Sequence, residues 1–354
     1  MTHRSFIIFS FFTIVFVIAA IISVANRPAS TLIASDRALV FPGVDEKLNK
    51  ISSFEIRSAK RKYTVKRIQS GWGIAELFNY KVNFDKVKTV LVQLSQLKFL
   101  EAKTSDSARY ERLNLQKVTA KGSTSKRVIV KLKDGKVLAS GLIGKRNEDL
   151  FGTGKGGTYI RVGHNKQSWL VEGIVELGNG PVDWIDKTIL DIPRASVKRI
   201  VIKSPTGGLV KISRPIASQK DFKLANIPKG KNQRGQWETN EMAKVIEKLE
   251  LLDLDRKENL KFSPEKIYKA TIYMFGGLLI HAEALKRNKK KYWANFSASV
   301  DESTVVNAEK TKETVRKFNF RHKNFWYEVN ESTGKKLACD HINLLEGAGI
   351  KACA

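Results

Sequence analysis

The same apolar helix face is written into this chain twice, and no other feature constrains its fold as strongly. Val87, Val90, Leu91, Leu94 and Leu97 recur at the i, i+3, i+4, i+7, i+10 spacing of one helical stripe. Met242, Val245, Ile246, Leu249 and Leu252 repeat that spacing 155 positions later, and Phe99 and Leu254 continue the two series. Asn83 followed by Asp85, and Thr239 followed by Glu241, each supply a capping side chain and then an acid at the positive end of the helix dipole. Helix starts are predicted there.

The flanking segments repeat as well. A short strand ends near a tryptophan before each helix, at Gly71-Trp72 and at Gln236-Trp237. After each helix comes a hairpin. In the first half the turn is Asp134-Gly135 between two apolar runs, a sequence that suits a positive-φ turn. In the second it is Gly276-Gly277. A later strand pair follows in both halves: residues 158–162 with 168–171, and 292–296 with 325–329. The offset falls to 142 at Gly135 and Gly277 and returns to 157 at Trp169 and Trp326. The second half is therefore expected to have a shorter helix-to-hairpin connection and a longer insert after residue 300. The predicted class is α+β: two tandem repeats, residues 50–193 and 194–354, each a mostly antiparallel sheet with a packed helix.

Ahead of the repeats, residues 5–25 read SFIIFSFFTIVFVIAAIISVA without a charge. A helix of that length rises roughly 30 Å, enough to cross the hydrocarbon core of a bilayer. The expected organisation is a cytoplasmic tail at 1–4, a membrane anchor at 5–25 and a linker at 26–49. The bulk of the chain then lies outside the cytoplasm. A cleaved signal peptide is the alternative, since Ser23-Val24-Ala25 offers small residues for a peptidase.

The formal net charge is +28, which attracts anionic surfaces such as lipid headgroups or glycans. Hydrophobic residues make up 42%, the content of a folded protein. The two cysteines, Cys339 and Cys353, exclude a disulfide-dense scaffold. Their spacing in an oxidising compartment leads us to expect a bridge, the alternative being a free Cys353 beside the chain end.

A further set of residues resembles the bacterial family called domain of unknown function 4340. It comprises Gly71-Trp72, Asp85-Lys86-Val87, Tyr110-Glu111-Arg112-Leu113, Lys133-Asp134-Gly135 and Leu142-Ile143-Gly144. Trp169-Leu170-Val171 and Asp183-Trp184-Ile185-Asp186-Lys187 complete it. The resemblance covers residues 50–195 well and the second half loosely. It implies a membrane-anchored protein of the bacterial inner membrane and periplasm, with some members resembling companions of ABC transporters. It brings no catalytic residue with it.

Candidate chemistry is sparse. The glycine run at 152–157 contains G-x-G-x-x-G, but it lies between predicted strands instead of opening a helix, so it reads as a hairpin loop. Ser-x-x-Lys occurs at Ser123/Lys126 and at Ser263/Lys266, as expected by chance in a lysine-rich chain. His3, His164, His281, His322 and His341 are scattered, and no grouping has metal-ligand spacing. Neither a cofactor nor a metal is expected. The densest basic run holds Lys286, Arg287, Lys289, Lys290 and Lys291 at a hairpin tip, followed by Tyr292 and Trp293. These five are candidates for contact with an anionic surface. Nucleic acid is not an expected partner of an exported domain. The leading expectation is a non-enzymatic envelope scaffold or auxiliary protein with a protein partner. A module binding anionic lipid or cell-wall glycan is the alternative, and an unrecognised hydrolase a third.

Overall fold

The computed structural model describes residues 37–347 apart from Ser70, Asp149, 151–155 and Lys289, together with 16–17 and 352–353. The expected membrane anchor lies outside the described residues except for Phe16 and Val17, which are helical. Among the described residues no helix is long and apolar enough to cross a membrane. The chain divides between Trp184 and Ile185 into two compact units.

In the first unit, alternating apolar side chains drive three strands, β1 (Ile51–Arg57), β2 (Lys62–Ile68) and β3 (Gly71–Ile74), and a short β4 (Tyr80–Lys81). Helix α1 (Phe84–Gln96) follows. Asn83 caps it by accepting from the N–H groups of Asp85 at 2.9 Å and Lys86 at 3.4 Å. Then come β5 (Lys98–Ala102), β6 (Lys126–Leu132), β7 (Val137–Asn147), β8 (Gly157–Val162) and β9 (Ser168–Glu172). They form one antiparallel sheet in the order β4-β3-β2-β1-β6-β7-β8-β9-β5. Gly135, at φ +83°, turns the β6–β7 hairpin.

Trp184 closes this unit. Its ring is fully buried 5.1 Å from that of Phe54, and its Nε1–H donates to the Tyr63 hydroxyl, which donates to Leu177 O. The Asp-Trp-Ile-Asp segment is thus divided. Asp183 and Trp184 finish the first unit, while Ile185 and Asp186 open the second, earlier in the chain than the expected junction at 193/194.

The second unit contains β10 (Thr188–Leu190), β11 (Val197–Lys203), β12 (Leu209–Ser213), β13 (Lys223–Leu224), helix α2 (Gln236–Met242) and β14 (Leu249–Arg256). It continues with β15 (Tyr268–Met274), β16 (Leu278–Lys286), β17 (Tyr292–Val300), α3 (Ala308–His322), β18 (Phe325–Val329) and α4 (Glu331–Leu337). Its antiparallel sheet runs β10-β14-β18-β17-β16-β15-β11-β12-β13. Read from the other end, this is the order of the first sheet, with β10 added at one edge and β4 missing from the other. The registers match in detail. β1 shifts by one residue against β6 between Ile51 and Ser53, and β11 shifts against β15 between Val197 and Arg199.

The helix correspondence differs from expectation by one turn. Phe84 and Gln236 open the two helices, an offset of 152. At that offset Val87, Val90, Leu91, Leu94 and Leu97 face Thr239, Met242, Ala243, Ile246 and Leu249, and all ten are buried. Leu252, predicted on the buried stripe, is 54% exposed in β14. An i, i+3, i+4, i+7 pattern nearly superposes on itself when slid by three residues, so periodicity defines a face but not its register. The second helix is also cut short. A 3-10 turn over Ala243–Ile246 and a positive φ of 45° at Lys248 swing the chain into β14. Thr239 does not cap this helix; it is buried inside it, bonded to Gln233 at 2.8 Å. Nor does Trp237 match Trp72. Trp237 is 58% exposed, and the place of Trp72 is taken by the buried Phe222.

The two connections differ as their lengths require. Residues 103–125 join β5 to β6, whereas residues 257–267 join β14 to β15 with about half the length. Residues 301–324 between β17 and β18 carry α3, where the first unit has a short turn. Asn319 of α3 accepts from Ala298 N–H at 2.7 Å and donates to Ala298 O at 2.9 Å, occupying the edge of β17 as a strand would.

Candidate functional site

That difference in connection length decides which sheet face is open. In the first unit the long connection lays Tyr110, Leu115 and Val118 against Leu142, with Tyr159 packed beside them. The Arg161 guanidinium stacks 4.1 Å from the Tyr110 ring. In the second unit the short connection reaches only one end of the equivalent face. There Leu260, Phe262 and Ile267 pack on Leu285, Trp293 and Trp326. What remains is a groove of about 390 Å³ on the outer side of β11, β15, β16 and β17.

Strand alternation places the groove residues in rows. Val201, Thr271, His281 and Ser297 are successive cross-strand partners, and so are Lys203, Lys269, Glu283 and Asn295. Lys257 and Lys323 complete the rim. Glu283 is the one carboxylate among the described lining residues, and Lys257 pairs with it at 3.1 Å. The groove is therefore strongly basic.

Its floor is polar and ordered. His281 Nε2 lies 2.7 Å from Ser299 Oγ, and Nδ1 lies 3.3 Å from Thr271 Oγ1. Burial pushes the His281 pKa below its ordinary value. Asn295, 4% exposed, donates to Lys323 O at 3.0 Å and Phe325 O at 2.6 Å. Tyr273 forms one wall, with the Arg199 guanidinium 3.8 Å from its ring centroid.

Ser299 and His281 have the contact of a nucleophile and its base. An acyl transfer also needs oxyanion donors beside the hydroxyl. Ala298 N–H points outward onto Asn319, so the next N–H, that of Ser299, points back into the β16 ladder opposite Leu279. It is committed to the sheet.

The residues singled out by sequence lie elsewhere. Lys286, Arg287, Lys290 and Lys291 are exposed at the β16–β17 turn, and Lys289 falls outside the described residues. Lys286 sits 5.8 Å from the Tyr292 ring, Arg287 sits 5.8 Å from the Trp293 ring, and Lys291 pairs with Glu328 at 2.9 Å. The glycine run leads from β7 into β8, and residues 152–155 of it are outside the described residues. Lys126 reaches Gly178 O and, at 3.0 Å, Asn179 Oδ1, while the Ser123 hydroxyl meets that of Ser125 at 2.9 Å. Ser263 precedes a 3-10 turn at Pro264–Lys266. His322 is buried, with Nδ1 2.9 Å from the Tyr327 hydroxyl, and its pKa is pushed down to about 3 by burial and then by Arg321. His341 Nε2 lies 3.0 Å from Ala225 O, and His164 is exposed. Among the described residues no cluster of His, Cys, Asp or Glu could hold a metal ion. Cys339 and Cys353 are joined by a disulfide with Cα atoms 5.6 Å apart.

Sequence reading missed the groove. Alternation in β15 to β17 places Thr271, His281, Glu283, Asn295 and Ser297 on one polar face. It does not reveal that this face is left uncovered; the short connection was the available signal.

Two antiparallel sheets of closely matching strand order, each with a helix after its first four strands, define a tandem α+β protein with an open basic face on its second sheet. The chain belongs to the family described as Domain of unknown function (DUF4340), whose model matches residues 72–259, more than half of its 354 residues. That match runs from β3 of the first unit to just past β14 of the second. No curated protein and no solved structure matches the chain.

Proposed function

We propose that this chain is a membrane-tethered, extracytoplasmic and non-enzymatic auxiliary protein of the bacterial envelope, acting as a docking scaffold beside an ABC-type transporter. The observation that carries the reading is the Cys339–Cys353 bridge, because disulfides persist in oxidising compartments and not in the cytosol. The uncharged run at residues 5–25 supplies a tether of membrane-spanning length. The family resemblance supports the transporter association, and the ordered floor of the groove supports a binding role.

The test is native purification. The tagged full-length chain, crosslinked in intact cells and extracted in mild detergent, should migrate with an integral membrane partner. Migration as an isolated monomer after efficient crosslinking contradicts the scaffold role. A second reading, a module for anionic lipid or glycan, is favoured by the exposed basic residues Lys286, Arg287, Lys290 and Lys291 at the β16–β17 turn.

A further inference from the structure

We infer that the groove on the second sheet is a binding site for an anionic sugar, a polyhydroxylated ligand carrying a carboxylate or a phosphate. The site holds whichever side of a membrane the unit occupies, so it stands apart from the localisation proposed above.

Two kinds of chemistry meet in the groove. Along the rim, Lys203, Lys269 and Lys323 are exposed ammonium groups. Lys203 and Lys269 are direct cross-strand partners, a like-charge pairing that destabilises a sheet unless an anion lies between or above the two. Glu283 does not relieve this charge, because Lys257 already neutralises it at 3.1 Å. The rim is thus a built anion acceptor.

The floor answers a different group. A sugar hydroxyl is both donor and acceptor, and it is matched by side chains that are also both. Thr271 and Ser297 are of that kind and flank His281 in one cross-strand row, where His281 fixes the floor with both ring nitrogens bonded to neighbouring hydroxyls. Asn295 adds a fixed acceptor. With its Nδ2 hydrogens committed to Lys323 O and Phe325 O, the amide is locked in orientation and Oδ1 is its remaining polar atom. Tyr273 supplies an aromatic wall. A volume of about 390 Å³ lies within the range of small-molecule sites. A bare inorganic anion would leave the floor unused, and a neutral sugar would leave the lysines unused.

The experiment is calorimetric titration of the full-length chain, held in a detergent without a sugar headgroup. The probes are trigalacturonate, glucose 1-phosphate, neutral maltotriose and inorganic phosphate. At least one of the two anionic sugars should bind ten times or more tighter than both maltotriose and inorganic phosphate, and comparison of the two tells carboxylate from phosphate. Lys203→Gln with Lys269→Gln should abolish that preference without lowering the melting temperature, and Lys290→Gln with Lys291→Gln should retain it. Equal binding of maltotriose or of inorganic phosphate, binding of neither anionic sugar, or an unaffected groove variant overturns the assignment.

Discussion

Arg67 and Arg214 make the same contacts in the two units. Arg67 Nε donates to Ile51 O at 2.8 Å and Nη2 to Asn49 O at 3.1 Å; Arg214 Nε donates to Val197 O at 2.9 Å and Nη2 to Ala195 O. Each guanidinium also faces an aromatic ring, Trp72 at 4.9 Å and Phe222 at 5.0 Å. A planar, five-donor group tied to the opening residue of β1 or β11 and set over an aromatic ring is present in both units, while the ring it covers differs. Such a match across two sheets of one topology is the physical signature of a duplication.

The two arginines should not contribute equally. Arg67 is exposed, whereas Arg214 is 4% exposed and also donates to Ala217 O, Gln219 O and Arg194 O. Arg214→Ala leaves several carbonyls without a donor and should destabilise by about 3 kcal/mol, and Arg67→Ala by less than about 1 kcal/mol. Arg214→Lys cannot reproduce the fork and should recover only part of the loss. Urea unfolding of the three variants measures the difference; equal losses would remove the special role of Arg214.

The disulfide should stabilise the C-terminal end of the second unit. It closes a loop with a sequence separation of 14, and the chain-entropy model assigns such a loop about 3 kcal/mol. Thermal unfolding with and without reductant, and of Cys353→Ser, should show the same lowering of the melting temperature. An unchanged melting temperature on reduction would count against it.

Stability should fall with acid through His322. Burial keeps its imidazole neutral in the folded state down to about pH 3, whereas the unfolded chain takes up the proton near 6.5. The unfolded state therefore binds the extra proton between these values. Stability is complete above pH 6.5 and declines below it, by about 1.4 kcal/mol per pH unit at most. Carboxylates held below their ordinary range cost stability only from about pH 5 downward, so the interval from about 5 to 6.5 is where the histidines dominate; Glu238, whose pKa burial raises, acts there with the opposite sign. His281, whose pKa is also lowered, contributes with the same sign. Across that interval His322→Asn should show a flatter dependence than the parent protein, and parallel curves would refute the assignment.

The basic turn should act at anionic surfaces through charge. Replacing Lys286, Arg287, Lys289, Lys290 and Lys291 with glutamine should weaken co-sedimentation with anionic vesicles and flatten its salt dependence. Each basic residue close to such a surface is worth about 1 kcal/mol. Neutral vesicles and the melting temperature should be unaffected. Undiminished binding by a folded variant would leave these residues as an ordinary solvated turn.

Much of the fold was legible because local physics and tertiary structure agree there. Asn83 caps α1, Gly135 and Gly277 turn hairpins at φ near +80°, and the β8–β9 and β17–β18 pairs form where apolar alternation placed them. The second helix misled because its stripe is ambiguous by one turn and because a small Ala243 and a polar Thr239 occupy buried positions where apolar bulk was sought. Trp237 drew the match to Trp72 by identity, although Phe222 holds the equivalent place and leaves no motif. The candidate site was least legible. Lys203, Lys269, His281 and Asn295 are 92 positions apart at their extremes in sequence and become neighbours only through strand order and register.

The central claim is that residues 5–25 tether these two units outside the cytoplasm, and a topology reporter tests it most directly. An enzyme active only in the periplasm, fused after Ala354, should be active, and the same fusion to a reporter active only in the cytoplasm should be silent. Activity of the cytoplasmic fusion with a silent periplasmic one would contradict the account.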